Sequence, residues 1–509
     1  MRDSPAKLVL CVIDGLKPSM LERAVQTDRA PTLATMMERG LYVDDCVAAF
    51  PSVTPVCAAA IATGTWQDEH RIPSMNWYHR AEGRYVEYGS SFRAAQRFGF
   101  ARQLTDTVYN MNRVHLAHET ATVFELLDDA DVRTAGTTYL MYRGRHRHEP
   151  QRDTALTRLA STLIRHSVLG PRELFYADVF ASRDTGCRSQ LGMPGVRDRH
   201  TGCVSAYMVE HDLFDFLLLS LPDNDWYSHK YGPHAQVDSI AEADAQLARV
   251  MDAAGGVDPF LEEHAVMVVA DHSHTLVERT VSLQDELADF AVLQPSGTRR
   301  EEAEIAVCPA QRSALVYVLV EEARELLLPR IVARCLPLEG VDLVMWLDRD
   351  SHGVVQEAVI SSGARGELRF APGGELTDPR GARWSVDGPL EVLDARIEDG
   401  QLLSPSYPDA LARVWAALIC RTSGDVALSS GPGYEFLDWG GQGHVGGGSH
   451  GSLHASDSLG ALVLCGVGPR RRRAGEQWAI RDVAPIVAEH FGLTATTGVQ
   501  PGAPPVSAA

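Results

Sequence analysis

The sequence predicts an α/β fold, with a mostly parallel central sheet flanked by helices and a smaller α+β lobe inserted into it. Three observations lead there. Short apolar runs are near-continuous rather than alternating, as in strands covered on both faces. Helical stretches separate them. A segment of different texture then interrupts the pattern between polar motifs that belong together.

The apolar runs are Lys7–Ile13, Arg133–Tyr139, Asp215–Leu221, Ala265–Ala270 and Leu459–Cys465, each expected as a buried parallel strand. Helices are expected at Thr120–Asp128, Ile240–Ala254 and Arg481–Phe491. From about Leu283 the chain turns to Gly/Pro-rich turns (Ala371–Gly374, Asp378–Gly381) and short alternating segments (Arg383–Val386, Leu390–Ile397). This divides the chain into a catalytic core over 1–282 and 406–494, an inserted or capping lobe over 283–405, and a loosely ordered tail over 495–509. The lobe is expected to contribute to the walls of a substrate pocket.

Composition narrows the function classes. At 509 residues, 45% hydrophobic and 22% charged, the chain has the makings of a large globular core. A formal net charge of −20 argues against stable nucleic-acid binding, which needs a dominant basic surface. No segment has the run of about 18 apolar residues that spans a membrane, so no membrane partner is expected. Nine cysteines without a CxxC pair read as reduced buried thiols rather than a disulfide framework. The N-terminus lacks the layout of a signal peptide, and a cytoplasmic location is the expectation.

Four polar clusters lie at edges of expected strands, where open α/β sheets bind ligands. They are Asp14 in VIDGL, Asp225 and His229 in PDNDWYSHKYGP, Asp271 and His272 after VMVVA, and GGQGHVGGGSHGSLH with His444, His450 and His454. Carboxylates and imidazoles gathered at one sheet edge call for a cation. The mixed set suits zinc best, with manganese or iron as further options. The four-residue step from Asp225 to His229 puts both on one face of a helical turn. Taken singly, Asp14-Gly could end a strand in a turn and Asp225/His229 could be a helix cap with a surface histidine. Thr54, in FPSVTPVCAAAIATG, stands where a helix starts, beside N–H groups suited to a phosphoryl oxyanion. Alone it could equally be an ordinary N-cap.

These segments resemble a family. FPSVTP is similar to the nucleophile segment of type I nucleotide pyrophosphatase/phosphodiesterases, within the alkaline phosphatase superfamily. VIDGL, DWYSHKYGP, ADHSHT and GSHG resemble their metal motifs, in the same order along the chain. The resemblance implies an alkaline phosphatase-like sheet and two divalent ions. One would be held by Asp14, Thr54, Asp271 and His272, the other by Asp225, His229 and His450. It further implies Thr54 as nucleophile through a phospho-threonine, and Asn76, in HRIPSMNWY, as a phosphate contact. The implied substrate is small and phosphorylated, with a nucleotide among the candidates; oligomeric state is left open.

Departures from the pattern are Ser228 and Ser273 in place of glycines, and GSLHASDS after the last histidine. They leave His274, His444 and His454 without a role, and Asp223 competing with Asp225. The run Arg143–His148 reads as a basic loop or a distal phosphate site. A sulfatase reading fails because Ala-Ala-Ala follows Cys57. A metal-dependent phosphomonoesterase is the alternative within enzymes. An inactive, metal-bound ligand-binding protein is the alternative outside them.

Overall fold

The computed structural model describes residues 6–152, 157, 163–473 and 475–494. The expected tail over 495–509 lies outside them. An eight-stranded sheet forms the centre. Its parallel heart runs, in spatial order, His264–Val269, Lys7–Ile13, Phe216–Leu221, Thr134–Thr137 and Glu173–Tyr176. Strands Lys7–Ile13, Phe216–Leu221 and His264–Val269 are buried almost throughout, which is why their sequences are apolar runs.

The last strand, Leu459–Cys465, has the expected limits but runs antiparallel to His264–Val269. The expectation of a parallel strand is corrected here. Its chain arrives from the loop holding His450, at the edge where the parallel strands end, so it has to run away from that edge. Leu41–Val47 pairs antiparallel beyond it.

Helices follow the expected order with shifted ends. Val123–Asp128 begins later than expected because Thr122 and Glu125 form a capping box. The next is Gln236–Asp252, and Val483–His490 follows a short 3-10 turn. Among the described residues no helix is long and apolar enough to cross a membrane.

A second sheet has nine strands and is almost wholly antiparallel. It runs from Ile305–Ala310 and Ser313–Val318 through Val341–Arg349, Val355–Ser362 and Gly366–Thr377, with Val426–Ser430 paired between Ser313–Val318 and Val341–Arg349. Helix Arg324–Cys335 covers it with Leu327 and Ile331. One apolar cluster holds Leu8 and Leu10 of the central sheet together with Cys308, Leu315 and Leu343 of the second.

The cysteines also bring a correction. Cys187 and Cys203 form a disulfide, while the other seven are free and buried. The loop before helix Arg197–Glu210 doubles back and brings the two Cα atoms to 6.0 Å, a pairing that a 16-residue spacing does not advertise. The run Arg143–His148 proves structural in part: Arg143 is buried on Glu125 and the carbonyls of Leu116 and Ala117, and Arg145 is paired with Glu125 and Asp129.

The strongest tie between second sheet and site loop is a fully buried ion pair, Arg312 Nε to Asp457 Oδ2 at 2.7 Å. Burial alone would raise the Asp457 carboxyl, but the Arg312 guanidinium together with hydrogen bonds from Thr275 and Ser452 holds the group well below the usual range. Removing one partner strands the other charge in the core. Arg312→Ala is therefore expected to cost about 3–5 kcal/mol, read as a lower denaturant midpoint with unchanged slope.

Candidate metal centre and active site

The carboxyl ends of three adjacent parallel strands deliver three aspartates to one place. Asp14 follows Lys7–Ile13, Asp225 opens the helix after Phe216–Leu221, and Asp271 follows His264–Val269. Helix Asp223–Tyr231 carries Asp225 and His229 four residues apart, with His229 Nε2 3.3 Å from Asp225 Oδ1. His450 Nε2 lies 3.4 Å from the same oxygen. His272 Nε2 is 3.3 Å from Asp271 Oδ2 and 3.5 Å from Asp14 Oδ1. The rings of His272 and His450 stack at 3.6 Å, joining the two groups.

Thr54 opens helix Thr54–Thr63, with Pro55 in its first turn and left-handed Gly64 closing it. Val53 provides no side-chain cap; its carbonyl accepts from the Val56 and Cys57 amides at 3.0 and 3.1 Å. The Thr54 hydroxyl lies 3.3 Å from His272 Nε2. Asp14, Thr54, Asp225 and Asp271 all face one cavity.

The imidazoles are held by their far nitrogens. His229 Nδ1 meets the Gly448 carbonyl at 2.7 Å, and His450 Nδ1 meets the Ser52 carbonyl at 2.8 Å. A carbonyl can only accept, so these Nδ1 atoms carry protons and Nε2 is the nitrogen turned toward the cluster.

The donor chemistry fits cations. Two groups of side chains stand close enough to hold one each: Asp14, Asp271 and His272, and Asp225, His229, His274 and His450. Asp14 Oδ1, Asp271 Oδ2 and His450 Nε2 are buried without a hydrogen-bond partner among the described residues. Burial, then the charges of Asp271 and Asp225, pushes the Asp14 carboxyl well above its usual range. Burial raises Asp271 to about 6. Burial and then repulsion from His450 hold His272 well below its ordinary value, leaving it neutral. Asp225 goes the other way: burial would raise it, but His229 and the other imidazoles hold it well below the usual range. Acids that resist ionisation beside neutral imidazoles are what a bound cation reverses.

His274, without a role in the sequence reading, is fully buried with Nε2 2.9 Å from Asp225 Oδ1. Gly15 makes room for it: a Cβ there would stand 2.6 Å from His274 Nε2. The Gly15 N–H also donates to Asp271 Oδ1 at 3.0 Å. The only sequence signal was the spacing from His272. His444 pairs with Glu435 at 2.8 Å and stacks on His229 at 4.2 Å, backing that ring. His454 caps the short helix Ala455–Ser458. Asp223 is spent on Arg197 and the amides of Gly195 and Asp198. Asn76 stands apart: its amide donates to the Val86 carbonyl at 3.0 Å, and it does not line the cavity with Thr54.

Sequence comparison now adds to this geometry. The profile of "Type I phosphodiesterase / nucleotide pyrophosphatase" matches residues 8–331. The chain belongs to the type I phosphodiesterase/nucleotide pyrophosphatase family. It is accordingly an enzyme, a metal-dependent phosphoric ester hydrolase of the alkaline phosphatase superfamily. No curated protein matches the full sequence. In fold, the chain is similar to phosphonoacetate hydrolase from Sinorhizobium meliloti 1021 in complex with phosphonoformate, at 16% identity, 96% coverage of each chain and TM-score 0.54. It is also similar to murine ectonucleotide pyrophosphatase/phosphodiesterase 5, at 12% identity, 96% coverage of each chain and TM-score 0.55. An inactive form of that murine protein in complex with AMP superposes with TM-score 0.56, at 11% identity and 96% coverage of each chain.

The two donor groups share no residue, so they are expected to fill separately. Asp225→Asn and His272→Ala should each lower bound divalent metal by one equivalent per chain, measured by elemental analysis. Unchanged content in either variant would contradict the division.

Proposed function

We propose that this enzyme is a two-metal phosphodiesterase that hydrolyses a phosphodiester or phosphoanhydride through a covalent phospho-threonine at Thr54. The observation that carries the reading is the Thr54 hydroxyl, at a helix amino end and 3.3 Å from His272 Nε2, facing a cavity shared with Asp14, Asp225 and Asp271. Asp14, Asp271, His272 and Thr54 would hold one ion. Asp225, His229 and His450 would hold the other, with zinc suiting the mixed oxygen and nitrogen donors. When bound, such ions supply Lewis-acid stabilisation of the attacking and departing oxygens.

The chain's own groups do the remaining work. The Thr54 oxygen attacks phosphorus opposite the leaving oxygen; the new O–P bond forms as the ester P–O bond breaks, and the hydroxyl proton ends, by way of solvent, on the departing oxygen. Water then cleaves the phospho-threonine, restoring the hydroxyl. The helix amino end favours the charge that builds on the non-bridging oxygens. The second donor group faces the cavity through Asp225, where a leaving oxygen can depart. A diester is favoured over a monoester because, among the described residues, the one arginine lining the cavity, Arg197, is held by Asp223 and the Pro222 carbonyl.

A small phosphorylated substrate, a nucleotide among the candidates, agrees with the AMP and phosphonoformate in the neighbouring structures. We assign the segment 283–405 as an inserted lobe that braces the site rather than lining it, since no described residue of that segment lines the cavity.

Thr54→Ala is expected to lower turnover of bis-p-nitrophenyl phosphate by at least roughly 10³-fold. Fold and most of the bound metal should remain. A phosphoryl group trapped on Thr54 by acid quench and found by mass spectrometry would support the intermediate; unchanged turnover in the variant would sink it.

A further inference from the structure

The cavity beside Thr54 encloses 740 Å³ and extends well past the two donor groups. Its far walls are apolar, with Phe100, Leu104, Val108, Tyr139, Tyr176 and Leu191 among the lining residues. Phe100 also reaches solvent, at 50% exposure. A cavity of this size and character takes an organic group rather than water alone.

Several polar side chains in these walls already have partners. Gln103 Nε2 donates to Thr107 Oγ1 at 3.0 Å, and that hydroxyl donates to the Tyr88 carbonyl at 3.1 Å. The Tyr139 hydroxyl donates to the Ala58 carbonyl at 3.0 Å. Thr138 Oγ1 accepts from Thr201 at 2.9 Å, and Ser189 Oγ accepts from the Gly192 amide at 3.1 Å. Arg197 holds Asp223 through Nε and the Pro222 carbonyl through Nη2. A ligand that drew hydrogen bonds from the groups named here would have to break these.

We propose that this cavity receives an uncharged alkyl or aryl ester group of the substrate, so that the enzyme selects phosphodiesters with one bulky apolar arm. The proposal rests on the phosphodiesterase reading for the position of phosphorus, and on the cavity for the nature of the arm. Transfer of that arm from water is the source of selectivity, and it grows with each methylene buried.

The test uses the full-length, zinc-loaded protein. For p-nitrophenyl alkyl phosphates from methyl to hexyl, kcat/KM is expected to rise roughly fourfold per methylene. The phenyl ester should fall near the long end; a phenyl rate well above the whole alkyl series would assign the cavity to aryl arms. Leu104→Asp, at a half-buried wall position, should flatten the series, as should Phe100→Ser at the exposed mouth. A flat or falling series overturns the proposal, as does a p-nitrophenyl nucleoside 5′-phosphate outpacing the hexyl ester.

Calorimetric binding of n-alkylphosphonates to the Thr54→Ala protein separates this proposal from the reading beneath it. Tightening with chain length and a negative heat-capacity change would uphold the apolar site even where no diester is turned over. Binding independent of chain length would overturn it even where turnover is found.

Discussion

Three carboxylates buried side by side repel one another and lose the water that would stabilise them. Asp14, Asp225 and Asp271 are in that position, and much of the fold can be understood as what holds them there. Adjacent parallel strands end in register, which places the three groups at one edge without any loop having to find it. Imidazoles surround them, and those of His229 and His450 are each oriented by a backbone carbonyl on the far side. The surrounding framework brings anionic and neutral donors together and leaves the positive charge to be supplied by metal.

Such a cluster needs rigid support, and the second sheet gives it. The Arg312 amide donates to the His450 carbonyl at 3.0 Å, while its guanidinium is buried on Asp457, five residues past the Ser452 amide that the same carboxylate accepts. The glycine-rich loop is thereby fixed at both ends of its turn, and His450 is set between Asp225 and His272. The second sheet thus fixes where His450 stands. The walls that a substrate touches come instead from helical and loop segments of the core before residue 226, together with Asp271.

Much of this was legible in the sequence, for physical reasons. Lys7–Ile13 and Leu459–Cys465 are so apolar that their limits as strands follow directly, and the Asp225–His229 step announces a helical face. Asp14, Thr54, Asp271, His272 and His450 could be expected near one another because each adjoins a strand end or a helix start. What stayed hidden depends on partners far along the chain. The direction of the last strand follows from where its loop begins. The burial of His274 depends on Gly15 and Gly448 leaving space for it. The Arg312–Asp457 pair and the Cys187–Cys203 bond join residues with no motif between them. Asn76 could be placed by resemblance, but the direction of its amide is set by Val86 on the facing strand of its hairpin.

The central claim is that metal-dependent diester hydrolysis arises from this one cluster. Its most direct test is paired hydrolysis of bis-p-nitrophenyl phosphate and p-nitrophenyl phosphate by the zinc-loaded protein, with and without chelator. The account predicts faster turnover of the diester and loss of both activities on chelation. Preference for the monoester, or diester turnover that survives removal of the metal, would contradict it.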